Sequence, residues 1–267
     1  MTDNIDNQKE NAENTINKEQ TPSFLRRQLL CYAGIVFILL FWVSVTSPAM
    51  LVSTHKPAIY LYADKPTAVT VKLDNLLKKE IVIPNYSYVG GWSVMTNKDG
   101  SIIDLNPVIT DCSKLPDGFG FEYAKSACKA NNYPYIYWDG KPLRPLPEKL
   151  LGWSVKKENI EKFLNKKADE IGMNEAEKSE FVRYWTKTVT DYPATDFRIY
   201  FLQNEEVDEY VKLKVSPKPE SWNRIQIVIT PTRPNTNSTP YPLKKIQRKG
   251  LTLVEWGGII NDKNGGM

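Results

Sequence analysis

The chain has 267 residues, with 35 basic and 31 acidic side chains, a formal net charge of +4 and 41% hydrophobic residues. This length can supply one sizeable hydrophobic core or two small ones. Outside a short basic cluster at residues 244–249, the charges are dispersed, which argues against a nucleic-acid partner. The sequence contains no phosphate-binding loop of the GxxxxGK type, so we expect no nucleotide partner either.

Residues 1–24 are rich in Asn, Asp, Glu, Gln and Lys and contain few large apolar side chains. A segment of this composition buries too little apolar surface to offset its chain entropy. The sequence therefore predicts a disordered tail.

Residues 29–45 form an uncharged apolar run, which is preceded by Arg26-Arg27-Gln28. At about 1.5 Å of rise per helical residue, the run with its flanks approaches the ~20 residues that cross a bilayer. It predicts a transmembrane helix over residues 25–48 that contacts the lipid bilayer through residues 29–45. Basic residues remain in the cytoplasm, so the N-terminus is predicted to be cytoplasmic and the C-terminal part extracytoplasmic.

Two alternatives to this single-pass anchor in the cell membrane stay open. A cleavable signal peptide would use the small residues of Ser47-Pro48-Ala49, although its leader before the apolar part would be long. A buried helix of a soluble protein is disfavoured by the paired arginines and by Trp42 near the end of the run. An uncleaved anchor is the favoured interpretation, with residues 49–56 as a linker.

The sequence contains three cysteines and one histidine. Cys31 lies in the apolar run, whereas Cys112 and Cys128 lie in the part predicted to be exported. These two can form a disulfide or remain as separate buried thiols. His55 lies in the predicted linker, so we expect no zinc site or other metal, no cofactor, and neither a Ser-His-Asp nor a Cys-His catalytic device.

The part of the chain from residue 57 to residue 140 has the pattern of an all-β body. In Thr67–Leu73 the apolar side chains alternate with polar ones, which is typical of a half-buried strand. Asn97–Gly100 is a turn sequence between two short strands. Prolines then mark a break and a candidate sub-boundary at residues 141–150. The predicted strands are Ala58–Tyr62, Thr67–Leu73, Trp92–Met95, Ser101–Asp104, Phe119–Tyr123 and Tyr133–Trp138.

Two helices are predicted next. An apolar stripe from Ile160 to Ile171 indicates the first, which ends at Gly172. Asn174 and Glu177 form a capping-box pattern at the start of the second. Strands follow at Asp196–Leu202, Tyr210–Val215, Arg224–Thr230 and Gly250–Trp256. The prediction is an α+β domain over residues 57–258, a mainly antiparallel β ectodomain with a helical hairpin packed against it, and a flexible tail over residues 259–267.

Several motifs resemble an uncharacterised family of bacterial exported proteins, anchored by a membrane helix or a lipid, that begin Lys-Pro-x-Ile-Tyr-Leu-Tyr and end Val-Glu-Trp-Gly-Gly. The resemblance covers essentially the whole exported part. It implies an anchored extracytoplasmic domain, and it supplies no catalytic residues because no activity is assigned to the family. The chain departs from the family pattern at Ala63, where proline is usual, and at Asp139, where glutamate is usual. The motifs are Lys56–Tyr62, Gly91–Val94, Tyr137–Gly140, Tyr184-Trp185 and Glu255–Gly258.

Asp139 follows Trp138, and Glu255 precedes Trp256. Two carboxylates in a tryptophan-lined groove would suit a carboxylate-dependent cell-wall glycan hydrolase, which is the alternative hypothesis. The favoured interpretation is that the tryptophans fill the core and the acids pair with basic side chains. The main hypothesis is therefore a non-enzymatic binding or structural module of the cell envelope. Its partner would be a cell-wall glycan or another envelope protein, and its candidate ligand-binding residues are Trp92, Trp138 and Trp256.

Overall fold

The computed structural model describes residues 55–261, except for residues 75, 88–89, 108–110, 143–148, 150, 235 and 237. The chain divides into two units, Met1–Ala49 and Met50–Met267. The predicted tail over residues 1–24 and the predicted transmembrane helix over residues 25–48 lie outside the described residues, as do residues 262–267. Among the described helices, none has the length and apolarity needed to cross a bilayer.

The described elements are short strands interspersed with helices. The strands are β1 (His55–Tyr62), β2 (Thr67–Asp74), β3 (Leu76–Ile83), β4 (Trp92–Thr96), β5 (Ile102–Asp104), β6 (Ile136–Pro142), β7 (Trp153–Lys156), β8 (Asp196–Gln203), β9 (Lys212–Ser216), β10 (Ser221–Pro231) and β11 (Thr252–Ile260). The α-helices are α1 (Ala124–Ala130), α2 (Ile160–Ile171), α3 (Glu175–Asp191) and α4 (Glu205–Tyr210), and Cys112–Lys114 and Lys157–Asn159 form 3-10 turns.

The strands form two sheets. One has seven strands in the order β3-β6-β1-β11-β10-β8-β7, and the other has four in the order β5-β4-β2-β9. All strand pairs in both sheets are antiparallel except β10 with β11, which pair in parallel from Ser221↔Thr252 to Ile229↔Ile260. The predicted α+β, mainly antiparallel and β-rich fold class is thus confirmed.

Both faces of the seven-stranded sheet are covered around β8, β10 and β11. Ile199 and Phe201 of β8 belong to the main hydrophobic core, whereas Tyr200 and Leu202 belong to a second cluster with Val207 of α4. A strand buried on both faces reads as a continuous apolar run instead of an alternating one. This explains the uninterrupted Ile-Tyr-Phe-Leu sequence at residues 199–202 of β8.

The helical hairpin α2–α3 packs on the core face of this sheet. The rings of Phe181 on α3 and Trp256 on β11 meet edge to face, with centroids 5.5 Å apart. Gly258 is needed here because a Cβ at that position would lie 2.8 Å from the Trp185 ring and 2.1 Å from a backbone oxygen of Ile227. The predicted capping box is present, with Asn174 and Glu177 each accepting from the other's backbone amide.

Two predicted strands are wrong in detail. Phe119–Tyr123 forms turns that lead into α1, because Gly118 and Gly120 adopt φ values of +92° and +86° that a strand does not allow. The first half is therefore not purely β. Tyr210 ends α4, and the strand predicted to begin there begins at Lys212. Four described elements went unpredicted, namely the strands β3 and β7 and the helices α1 and α4.

The described strands extend slightly beyond residues 57–258, the limits predicted for the domain. His55 and Lys56 belong to β1 and not to a linker, and His55 is already paired with Gly258. At the other end β11 continues to Ile260. Lys56 is fully buried with φ +53°. A lysine is almost never fully buried unless it is paired, and the sequence around Lys56 does not show its partner.

Candidate functional site

A cleft of about 790 Å³ opens between β1, the turns before α1, the residues before β6, and α3. Tyrosine is its commonest lining residue, and we call it the tyrosine cleft. Its volume lies within the range of small-molecule binding sites. The lining residues are Tyr60, Tyr62, Asp99, Gly100, Ser101, Glu122, Tyr123, Asn132, Tyr133, Pro134, Tyr135, Ala176, Ser179, Glu180 and Arg183.

The local structure explains why these side chains converge. Residues two apart in an extended chain point to the same side, so Tyr60 and Tyr62 of β1 lie together with nearly parallel rings, at an interplanar angle of 6°. On α3 the cleft residues Ala176, Ser179 and Arg183 follow the three- and four-residue spacing of one helix face. The cleft is thus the meeting place of a strand face and a helix face.

Beneath the cleft lies the ammonium group of Lys56. Its Nζ atom donates to the carbonyl of Gly120 at 2.6 Å and to Tyr135 Oη at 2.8 Å, and lies 2.8 Å from Glu180 Oε1. These contacts use all three donors of an ammonium group. Four tyrosine rings surround the same atom, and we call them the tyrosine cage. Their centroids lie 5.7 Å (Tyr123), 5.1 Å (Tyr135), 5.7 Å (Tyr137) and 5.4 Å (Tyr184) from Nζ.

The electrostatics of this cage follow from burial and pairing. Burial lowers the pKa of Lys56, and the negative charge of Glu180 opposes that effect. Burial acts on Glu180 in the opposite sense, but Lys56 and Arg183 hold its pKa below the usual value. Lys56 is therefore a structural cation, since an ammonium whose donors are all engaged is a poor nucleophile.

Arg183 compensates the remaining acidic side chain of the inner cleft. Its guanidinium contacts Glu122 at 3.0 Å and Glu180 at 2.9 Å. Burial raises the pKa of the cleft hydroxyls of Tyr60, Tyr62 and Tyr135, so they remain neutral donors. The inner cleft combines neutral hydroxyls with charges that are already paired.

The two carboxylates of the hydrolase hypothesis do not meet. Glu255 is fully buried, where it pairs with Arg224 and accepts a hydrogen bond of 2.9 Å from Trp138 Nε1. Because Trp138 points to the face of Glu255, its neighbour Asp139 points to the opposite face of the sheet. Asp139 accepts from Tyr137 Oη at 3.4 Å on that face.

Asp139 has an unusual environment nonetheless. Its carboxyl is half-buried and accepts a 2.9 Å hydrogen bond from the amide of Gly140. Burial, assisted by the nearby charge of Glu80, raises the pKa of Asp139 to about 7. Neither Asp139 nor Glu255 lines the tyrosine cleft.

The three tryptophans expected to contact a ligand are all in the core. Trp92 is 1% exposed, and Trp138 and Trp256 are 0% exposed. Trp92 donates to the carbonyl of Pro84 at 2.8 Å, and Trp256 packs on Phe181. None of the three presents a ring face to solvent, so this part of the site prediction is corrected.

Cys112 and Cys128 form a disulfide, with Cα atoms 5.8 Å apart. It links the 3-10 turn Cys112–Lys114 to α1 and so closes a loop that carries Gly120 and Tyr123 to the cleft. In the described part of the chain, no group of three or more His, Cys, Asp or Glu side chains is arranged to hold a metal ion.

Comparison with protein-family models, with curated proteins and with solved structures gave no match. The site therefore has to be interpreted from its own geometry. Sequence reasoning missed the tyrosine cleft, although one signal was present: tyrosines spaced two apart at Tyr60 and Tyr62, and again at Tyr133 and Tyr135. That spacing places both members of each pair on one side of an extended chain.

Proposed function

We propose that this chain is a membrane-anchored extracytoplasmic protein that binds a component of the cell envelope without chemically transforming it. The tyrosine cleft is its binding site. The observation that carries the proposal is the cleft itself, an opening of about 790 Å³ lined by five tyrosines and by short polar side chains. Tyrosine provides contact area and hydrogen bonding at low entropic cost, which suits binding surfaces.

Two observations support the membrane anchor and the extracytoplasmic location. The uncharged run at residues 29–45 after Arg26 and Arg27 has the composition of a single-pass anchor with a cytoplasmic N-terminus. The Cys112–Cys128 disulfide in the folded domain supports an oxidising location, since such bonds are rare in the cytosol.

Binding is favoured over hydrolysis by the state of the carboxylates. Glycan hydrolysis requires two carboxyl groups that flank one bond. Glu122 and Glu180 of the cleft are paired with Arg183, and Glu180 also with Lys56. The geometry thus supports a site that holds its ligand.

The test separates retention from release. Purified full-length protein is incubated with isolated cell envelopes, and bound protein and solubilised fragments are measured separately. Ser179 is exposed on the cleft face of α3, so Ser179→Trp fills the opening. Lys187 is exposed on the same helix outside the cleft, and Lys187→Trp is the matched control.

We expect the wild type and Lys187→Trp to be retained without release of fragments, and Ser179→Trp to lose at least about tenfold in affinity. Equal retention of Ser179→Trp would show that the cleft is not the binding site. Release of fragments that disappears in Asp139→Asn would establish the hydrolase instead.

The predicted topology has its own test. A membrane-impermeant thiol reagent is added to intact cells that carry either Gly265→Cys or Thr2→Cys. Because the C-terminal part is proposed to lie outside, the reagent should label Gly265→Cys and leave Thr2→Cys unlabelled. The reverse labelling pattern would place the domain in the cytoplasm and remove the envelope function.

A further inference from the structure

We infer that the tyrosine cleft selects an uncharged oligosaccharide. This inference rests on the proposed function and names the chemical class of the ligand. It follows from three features of the cleft. Its charges are paired within the protein, its tyrosine cage already holds the ammonium of Lys56, and its remaining polar groups are neutral and without partners.

The charges inside the cleft leave little attraction for an ionic ligand. Glu180 contacts both Lys56 and Arg183, at 2.8 Å and 2.9 Å, and Glu122 contacts Arg183 at 3.0 Å. An anion would have to compete with these carboxylates for Arg183, and a cation would have to displace Arg183 from them. Asp99 is exposed at the rim, where the amide and hydroxyl of Ser101 donate to its carboxylate.

The tyrosine cage around Lys56 Nζ is not available to a ligand cation. Tyrosine rings around a carboxylate attract ammonium groups, and here the ammonium of Lys56 occupies that position at 0% exposure. The protein thus supplies the cation from its own chain. Of the four caging tyrosines, only Tyr123 and Tyr135 line the cleft, so a ligand that enters it meets these two rings and not an empty cage.

The groups that remain are neutral. The side-chain amide of Asn132 and the hydroxyl of Ser179 are exposed in the cleft and have no hydrogen-bond partner among the described residues. Beside them lie the partly exposed rings of Tyr62 and Tyr123, whereas Tyr60, Tyr133 and Tyr135 are at most 6% exposed. The exposed parts of these rings supply apolar surface. A sugar ring matches this arrangement because it combines apolar C–H surfaces with many uncharged hydroxyl groups.

The experiment compares tetrasaccharides that differ in charge. Calorimetry with the full-length protein measures the binding of two neutral tetramers, of β-1,4-linked N-acetylglucosamine and of β-1,4-linked glucose. The deacetylated form of the first provides a cationic tetramer, and tetragalacturonate provides an anionic one. The same titrations are made with Ser179→Trp, Lys187→Trp and Asn132→Ala.

We expect at least one neutral tetramer to bind at least about tenfold more tightly than either charged one. Its affinity should not change with salt concentration, because no ion pair forms. Ser179→Trp should abolish binding, Asn132→Ala should weaken it about tenfold, and Lys187→Trp should leave it unchanged.

Tighter binding of a charged tetramer would overturn the inference. So would failure of all four tetramers to bind while Ser179→Trp still abolishes retention on envelopes, and in that case the proposed binding function would stand with another ligand. If Ser179→Trp leaves envelope retention intact, the proposed function itself fails. The two failures are therefore distinguishable.

Discussion

Replacing Asp139 with asparagine should stabilise the protein increasingly as the pH rises from about 4 to about 7, and by a constant amount above that. The carboxyl is half-buried on β6, and burial together with the charge of Glu80 raises its pKa to about 7. An amide has the shape of the protonated acid and never ionises. Asp139→Asn thus preserves the hydrogen-bonding form that the fold favours and removes the form that it disfavours.

The sign and the size of the effect follow from the pKa shift. The unfolded chain releases the Asp139 proton near the ordinary pKa of 3.8, whereas the folded protein releases it near a pKa of about 7. Between these two values the folded state binds more protons, so wild-type stability falls as the pH rises. At about 1.4 kcal/mol per pKa unit, the whole shift corresponds to about 4 kcal/mol. Partial exposure and relaxation reduce this, and we expect a gain of about 2 kcal/mol.

Urea denaturation at about pH 4 and about pH 8 measures the two limits. Tryptophan fluorescence reports unfolding, because Trp92, Trp138 and Trp256 pass from the core to water. Asp139→Asn should match the wild type in acid and unfold at higher urea at about pH 8, with the same slope m. Asp64→Asn removes a carboxylate from an exposed turn. This control should shift the unfolding free energy by less than about 0.5 kcal/mol at either pH.

One result would refute this reasoning. If Asp139→Asn and the wild type have equal unfolding free energies at about pH 8, the folded protein holds the ionised carboxylate without penalty. Its side chain would then be solvated, and the burial on β6 would not control its ionisation.

Three further variants test two buried ion pairs and the disulfide. Lys56→Met removes the ammonium group from the tyrosine cage and should cost about 2–4 kcal/mol in urea denaturation; a loss below about 0.5 kcal/mol would show that the cage does not stabilise the fold. Glu255→Gln leaves Arg224 without its fully buried partner and should cost about 3 kcal/mol, whereas an unchanged melting temperature would contradict the buried ion pair. Combined Cys112→Ser and Cys128→Ser reopens a loop with a sequence separation of 16. It should lower stability by about 3 kcal/mol, and equal stability of the oxidised wild type and the double variant would refute that contribution.

The sequence predicted those parts of the fold that depend on local periodicity. The stripe from Ile160 to Ile171 and the capping box at Asn174 and Glu177 identified α2 and α3 because both signals lie within one element. The alternation in Thr67–Leu73 likewise identified most of β2.

The errors arose where distant contacts decide the structure. Phe119–Tyr123 has strand composition, but positive φ values at Gly118 and Gly120 and the disulfide at Cys128 make it a turn segment before α1. Tertiary context commonly overrides β propensity in this way.

The candidate site was harder to predict than the fold. The tryptophans and the acids Asp139 and Glu255 drew attention because they stand in motifs, yet most of these side chains serve the core. The tyrosine cleft requires α3 to lie beside β1, and Lys56 requires a partner, Glu180, that is 124 positions away by residue number. Composition cannot reveal that a lysine has such a partner.

The position of β11 has a consequence for biosynthesis. This last strand lies between β1 and β10, so it joins the beginning of the domain to its end in the middle of the larger sheet. Until the ribosome has made residues 252–260, both neighbouring strands have an unpaired edge, and such edges invite association with other chains. A premature stop codon just before Thr252 would remove β11 and leave the sheet divided, and its product is expected to aggregate or to be degraded.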